Sequence, residues 1–326
     1  MISFAPDNLI VNLVLFLVGL YFLIKGSDFF VEAAAQIARN YHIPEIVIGL
    51  TLVSIGTSLP EFATDVYASF KGEAGIVVGD LVGSNITNIA LVLGVAVLMM
   101  GTMPSPKDVV KRDALFMLGI FFLFAGLCFI GNGKFGRIGG VVLLLFMFGY
   151  LYYLFTHRDA LAELEEGEEH DEAVFSSIGK AWLFLLLGIV MIFLGAKAMV
   201  DNVIVVAERF NLSQGLIAAT IVAFGTSVPE LAVTVTSIRK KKKGIALGNI
   251  IGSCIFNLLL IMGICAVINP LHIEAALLHV VIPVMLLAGV MLVVFMRTGW
   301  RLVKTEGIAF LLLYIGYLIY NGVTLA

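Results

Sequence analysis

The sequence predicts an all-α polytopic membrane protein of ten transmembrane helices, built as two inverted five-helix repeats with helices 2, 3, 7 and 8 broken. Three observations carry this reading: an extreme apolar composition, ten apolar runs of spanning length, and an internal repeat without gaps.

Of the 326 residues, 60% are apolar and 13% are charged. Soluble domains carry about 45–50% apolar residues, glycine included, and about 25% charged residues. Mean hydropathy is +1.06. A water-soluble fold of this length cannot bury so much apolar surface. The composition therefore excludes a cytosolic enzyme, a nucleic-acid-binding domain and a disordered chain, and leaves the lipid bilayer as the solvent.

A span needs about 20 mostly apolar residues. Such runs occur near 9–33, 43–70, 74–100, 114–131, 138–155, 178–207, 213–238, 244–269, 272–296 and 305–325. The first segment, MISFAPDN, has no basic n-region, so the first run is expected to be a retained span. The polar stretch 156–177 divides the chain into a first five-helix repeat (1–155), an acidic linker, and a second repeat (178–326). Eight of the 23 acids fall between Asp159 and Glu172. Read plainly, that run is a solvated linker. It lacks the spacing of an EF-hand loop.

The two halves superimpose at an offset of 169 residues. Gly19 falls on Gly188, Gly26 on Gly195, Val31 on Val200, Ala38 on Ala207 and Thr51 on Thr220. GTSLPE (56–61) falls on GTSVPE (225–230), and GDLVGSNITN (79–88) on GNIIGSCIFN (248–257). Each half has an odd number of spans, so the second enters the membrane from the opposite side. The result is an inverted-topology repeat. Basic residues orient it. The loops after spans 1, 3, 5, 7 and 9, with adjacent span ends, hold 14 of the 20 Lys and Arg residues, including Lys240 to Lys243. The opposite face holds Lys71, Lys134, Arg137 and Arg209. The richer face is cytoplasmic by the positive-inside rule, which places the acidic linker inside the cell and both termini outside, in a multi-pass protein of the cell membrane.

Glu61 and Glu230 lie deep in spans 2 and 7, with no Lys or Arg in the same span to pair with. A charge at the bilayer centre costs on the order of 2.5–3.5 kcal/mol on insertion scales, so intramembrane carboxylates mark ion or proton pathways. One such Glu is readily satisfied as a protonated, hydroxyl-bonded side chain. Two at one repeat position are not so easily dismissed. Pro60 and Pro229 precede them and remove the hydrogen bonds to Gly56 and Gly225. The helices are expected to open there, freeing carbonyls around Ser54 to Thr57 and Ala223 to Thr226, beside the hydroxyls of Thr57, Ser58, Thr226 and Ser227. Ser84 and Asn88, and likewise Ser253 and Asn257, follow the two glutamates at 23 and 27 residues in both halves. Interhelical hydrogen bonding is the ordinary role for such an Asn. The equal spacing argues for a shared site.

All these donors are oxygens. Hard oxygen ligands select Ca²⁺, Na⁺ and similar ions over zinc or copper, and calcium takes six to eight of them. Two neighbouring carboxylates titrate as a coupled unit and bind ions or protons. The five histidines make no metal-ligand motif, and Cys128, Cys254 and Cys265 lie in apolar runs that argue against a disulfide framework. No HExxH, nucleophile elbow or phosphate-binding loop is present, so neither an enzyme nor a directly ATP-driven pump is indicated.

These motifs resemble the two α-repeats of the calcium/cation antiporter superfamily, and among its members the prokaryotic sodium/calcium exchangers, over the whole ten-span layout. The resemblance implies exchange of Na⁺ for Ca²⁺ by alternating access, with spans 1 and 6 sliding across a bundle of the other eight. It implies Glu61 and Glu230 as central ligands, joined by Thr57, Ser58, Ser84 and Asn88 and by Thr226, Ser227, Ser253 and Asn257, with the Ser54 and Ala223 carbonyls completing flanking sodium sites. No cofactor is expected beyond the transported ions, no nucleic-acid partner, and a single chain as the functional unit. The alternative is a proton-coupled antiporter of calcium or another divalent cation. Some archaeal members carry Asp where this sequence has Asn257. Asp65 and Asp80 have the neutral repeat mates Thr234 and Asn249, and are read either as lining an entrance or, for Asp80, as capping a half-helix.

Overall fold

The computed structural model describes residues 9–156, 174–209 and 223–325. The charged heart of the acidic linker and the first part of span 7 lie outside them. The described chain is almost entirely helical. Its helices are α1 (Leu9–Asn40), α2 (Glu45–Thr57), α3 (Leu59–Lys71), α4 (Ala74–Met100), α5 (Lys107–Ile130), α6 (Arg137–Thr156), α7 (Ile178–Arg209), α8 (Ala223–Thr226), α9 (Val228–Arg239), α10 (Lys243–Ile268), α11 (Leu277–Arg297) and α12 (Lys304–Leu325). Seven are long and apolar enough to cross a membrane, and α2 and α3, joined at a 51° bend, pass the same test as a pair. This is a multi-pass membrane protein.

Helix α1 runs well past the expected end of its apolar run, to Asn40. Its neighbour is α7, and four glycines set their crossing. A Cβ on Gly19 would stand 2.9 Å from the Gly195 carbonyl, and one on Gly188 would stand 2.9 Å from the Gly26 carbonyl. Such distances are below any real side-chain contact, so only small residues allow the backbones to meet. The two contacts, Gly19 on Gly195 and Gly26 on Gly188, exchange under the 169-residue offset.

The loops repeat the same pattern. Thr102–Pro104 (β1) pairs antiparallel with Arg301–Val303 (β4), and Lys134–Phe135 (β2) pairs with Leu271–His272 (β3). Adding 169 to the first residue of β1 reaches β3, and adding it to that of β2 reaches β4. Each short ribbon therefore joins a loop of one half to a loop of the other.

The core sits around α4 and α10, whose buried Val, Ile and Leu side chains pack against α5, α6, α11 and α12. Broken helices were expected at spans 3 and 8, but α4 and α10 run through without a break. Neither contains a proline to remove a hydrogen bond. Each instead widens to one π-helical turn, at Thr87–Val92 and Asn257–Ile261. Such turns shift the helix register and recur at functional positions. The genuine interruptions are at Ser58 and Ser227, where φ and ψ depart from helical values (−86°, 11° and −87°, 2°) one residue before a turn that contains proline.

Ion pairs at one end tie α1 to the α9–α10 junction. Lys240 reaches Glu32 and Asp28 of α1, and Lys242 reaches Glu45 of α2 at 3.2 Å. Part of the lysine run Lys240 to Lys243 thus braces the protein. Gln36 holds the backbone of Phe175 with paired 2.8 Å hydrogen bonds, where the chain re-enters the described region.

Candidate ion-binding site

The site forms where the ends of the two interrupted spans meet the midsections of α4 and α10. Pro60 and Pro229 stand in the first turn of α3 and α9, where a missing N–H costs nothing. Glu61 and Glu230 follow in the same turn, at helix N-termini that favour negative charge. Both glutamates are fully buried. Their carboxylates lie within each other's field, and Glu61 also feels Asp80 and Asp65. Among the described residues no Lys, Arg or His forms an ion pair with any of these four acids.

Hydroxyls cross between the halves. Thr57 Oγ1 lies 3.4 Å from Ser253 Oγ, and Ser84 Oγ lies 3.4 Å from Thr226 Oγ1. These two contacts are the same contact in the two repeats. Ser58 Oγ donates to Glu230 Oε1 at 3.0 Å. Its counterpart is missing, since among the described residues Ser227 Oγ and both Glu61 oxygens have no hydrogen-bond partner. Glu230 Oε2, both amide atoms of Asn88 and Oδ1 of Asn257 are likewise buried without one. An unpaired buried polar group costs about 1–3 kcal/mol, more when charged. The unpartnered oxygens gathered here are donors of the kind that a hard cation takes.

Ten of the twelve residues expected from the sequence are buried: Ser54, Thr57, Ser58, Glu61, Ser84, Asn88, Ser227, Glu230, Ser253 and Asn257. Thr226 is half-buried. Ala223 lies in helix α8, which places its backbone one turn before the Ser227 break. One expectation fails. The Ser54 carbonyl is not freed by Pro60, because it accepts from the Ser58 N–H at 3.0 Å and from Thr57 Oγ1 at 3.3 Å. Proline strips the acceptor four residues before itself, Gly56, and leaves Ser54 within a regular turn. The Ser54 hydroxyl accordingly turns away, to the carbonyls of Gly49 (2.6 Å) and Asn249 (3.2 Å).

The capping role considered for Asp80 also fails: α4 begins at Ala74, and Asp80 lies inside it. Two amides escaped the sequence reading. Asn249 accepts from Thr57 at 3.0 Å and donates to the Glu230 carbonyl and to Thr234. Asn85 accepts from Asn257 Nδ2 at 3.2 Å. Their signal was present, as polar residues in apolar spans at repeat positions, but their mates Asp80 and Cys254 differ from them in kind. Among the described residues no three His, Cys, Asp or Glu side chains cluster as they would around a resident metal. The donors are carboxylates, hydroxyls and amides.

The sequence profile of the family described as sodium/calcium exchanger protein matches residues 11–156 and 180–323. The sodium/calcium exchanger MaX1 of Methanosarcina acetivorans is 35% identical over 95% of this chain and 98% of its own. The putative antiporter CaxA of Alkalimonas amylolytica is also 35% identical, over 95% and 98%. Among solved structures, the sodium-calcium exchanger NCX_Mj, studied with Na⁺ and Sr²⁺, superimposes with a TM-score of 0.81 at 33% identity, covering 96% of this chain and 99% of that one. With both halves matched and full-length relatives of this similarity, the chain belongs to the sodium/calcium exchanger family of calcium/cation antiporters.

Proposed function

We propose that this protein is a secondary active antiporter exchanging Na⁺ for Ca²⁺ by alternating access, built from ten spans in two inverted five-helix repeats (1–155 and 178–326) joined by the acidic linker. One observation carries the reading most directly. Two buried glutamates, without cationic partners among the described residues, lie amid hydroxyl pairs, Thr57–Ser253 and Ser84–Thr226, that interchange under the internal repeat. A centre contributed equally by two oppositely oriented halves presents similar donors to either side of the membrane, which is what alternating access needs.

The central carboxylates Glu61 and Glu230 offset the charge of one Ca²⁺. Thr57, Ser58, Ser84, Asn88, Thr226, Ser227, Ser253 and Asn257 complete its oxygen shell or hold Na⁺ in flanking positions. The Ala223 carbonyl serves one flanking position. The Ser54 carbonyl serves the other once the Thr57 hydroxyl swings from it to an ion. The small-residue crossing of α1 and α7 is smooth enough to slide, which suits these two helices to move together past the rest. Both termini are outside, the acidic linker is cytoplasmic, and one chain is the working unit in the cell membrane.

The test is ⁴⁵Ca²⁺ uptake into proteoliposomes under outward Na⁺, K⁺ or H⁺ gradients. Uptake driven by the Na⁺ gradient is expected. Uptake driven by the H⁺ gradient instead would replace this reading with proton-coupled calcium antiport.

A further inference from the structure

The second half supplies a template for understanding Asp80. Thr57 donates to Asn249 Oδ1 at 3.0 Å, and Thr226 donates to Asp80 Oδ1 at 3.0 Å. The 169-residue offset turns one bond into the other. Asn249 spends its Nδ2 twice more, on the Glu230 carbonyl at 3.3 Å and on Thr234 Oγ1 at 3.2 Å. The mate of Thr234 is Asp65. Where the second half joins an amide donor to a hydroxyl, the first half has a carboxylate at both positions.

Among the described residues nothing supplies the missing positive charge. Asp80 Oδ2 has no hydrogen-bond partner among the described residues, and neither has Asp65 Oδ1 or Oδ2. Asp65 is fully buried, one helical turn beyond Glu61, and lies within the field of Asp80. No Lys, Arg or His among the described residues pairs with either acid. Neighbouring buried carboxylates without a donor between them persist only with something positive to share.

We propose that Asp65 and Asp80 hold a divalent cation between them, a second calcium-binding position beside the Glu61–Glu230 centre. Two carboxylates offset a divalent charge where a monovalent ion leaves one uncompensated, and hard carboxylate oxygens suit Ca²⁺. The position is asymmetric by construction, because Thr234 and Asn249 satisfy each other and leave nothing for an ion. Calcium thus meets an additional binding step on the Asp65 side of the centre and none on the Thr234 side. The choice of calcium over another divalent ion rests on the exchange reading.

The experiment is equilibrium ⁴⁵Ca²⁺ binding to the purified full-length protein in Na⁺-free buffer. In the E61Q/E230Q background the centre has lost both charges, so calcium still bound reports the Asp65–Asp80 position. That binding is expected to remain and to weaken at least about hundredfold when D65N/D80N is added, as charge-bearing ligands are lost. No binding in the E61Q/E230Q background, as for two aspartates merely sharing a proton, or binding that survives D65N/D80N, overturns the proposal. A second arm keeps both central glutamates. Asp80→Asn keeps the acceptor for Thr226 and gives Asp65 the donor that Asn249 gives Thr234. It is expected to melt no lower than the parent in chelator and to show a smaller Ca²⁺-induced rise in Tm. An unchanged rise overturns the proposal. Failure of the exchange reading shows separately, as calcium flux in the parent protein that follows an H⁺ gradient and not a Na⁺ gradient.

Discussion

Ser58 Oγ donates a 3.0 Å hydrogen bond to Glu230 Oε1, while Ser227, its repeat mate, leaves Glu61 without a hydrogen-bond partner among the described residues. The internal symmetry of the site is therefore broken in this conformation, with Glu230 held by a hydroxyl and Glu61 bare. Ser58→Ala is expected to lower the Tm of the ion-free protein more than Ser227→Ala does. The difference is set by one hydrogen bond to a charged group, about 1.5–3 kcal/mol. Thermal unfolding in chelator checks this, and equal Tm changes would refute it.

Glu61→Gln and Glu230→Gln are each expected to abolish calcium-coupled transport while leaving a folded, membrane-inserted protein. Each replacement keeps the shape and removes half of the charge that offsets a divalent ion in a low-dielectric interior. Sodium-driven ⁴⁵Ca²⁺ flux by the purified variants is the measurement. Near-normal flux in either would remove that glutamate from the centre.

Transport is expected to respond to voltage. Exchange of more than two Na⁺ per Ca²⁺ moves net charge, and one elementary charge across the membrane is worth about 2.3 kcal/mol per 100 mV. An inside-negative potential should favour Na⁺ entry and Ca²⁺ exit. Calcium flux indifferent to a valinomycin-set potential would mean electroneutral exchange.

Acid is expected to inhibit. Protonated Glu61 and Glu230 lose the charge that attracts a cation, so Ca²⁺ and Na⁺ compete with protons and flux falls as pH is lowered. Asn257→Asp places a third carboxylate at the end of this array and removes the amide that donates to Asn85. More negative charge in one site makes each proton harder to remove, so the activity profile should move toward alkaline pH. Flux measured from about pH 5 to about pH 9 brackets that shift. Coincident profiles for parent and variant would place residue 257 outside the ion site.

The sequence by itself determined what repeats along the chain. Composition set the solvent, and the 169-residue offset paired the two GTS-x-PE motifs and the two glycine pairs of α1 and α7 before any contact was known. These are properties of order and spacing, legible one residue at a time. Only the tertiary structure decided who meets whom. Thr57 finds Ser253, 196 residues away, because α2 packs against α10, and no local pattern states that packing. Proline marked an interruption at Ser58 but not its extent. Residues of α4 and α10 that looked fit for a break are bridged by a π-helical turn, since a helix without proline keeps its hydrogen bonds by widening. The pairing of Asp80 with Thr226, and its contrast with Asn249, appear only when four helices converge. A carboxylate and an amide of the same shape hold the same first bond, and differ only in what their second atom can offer a neighbour.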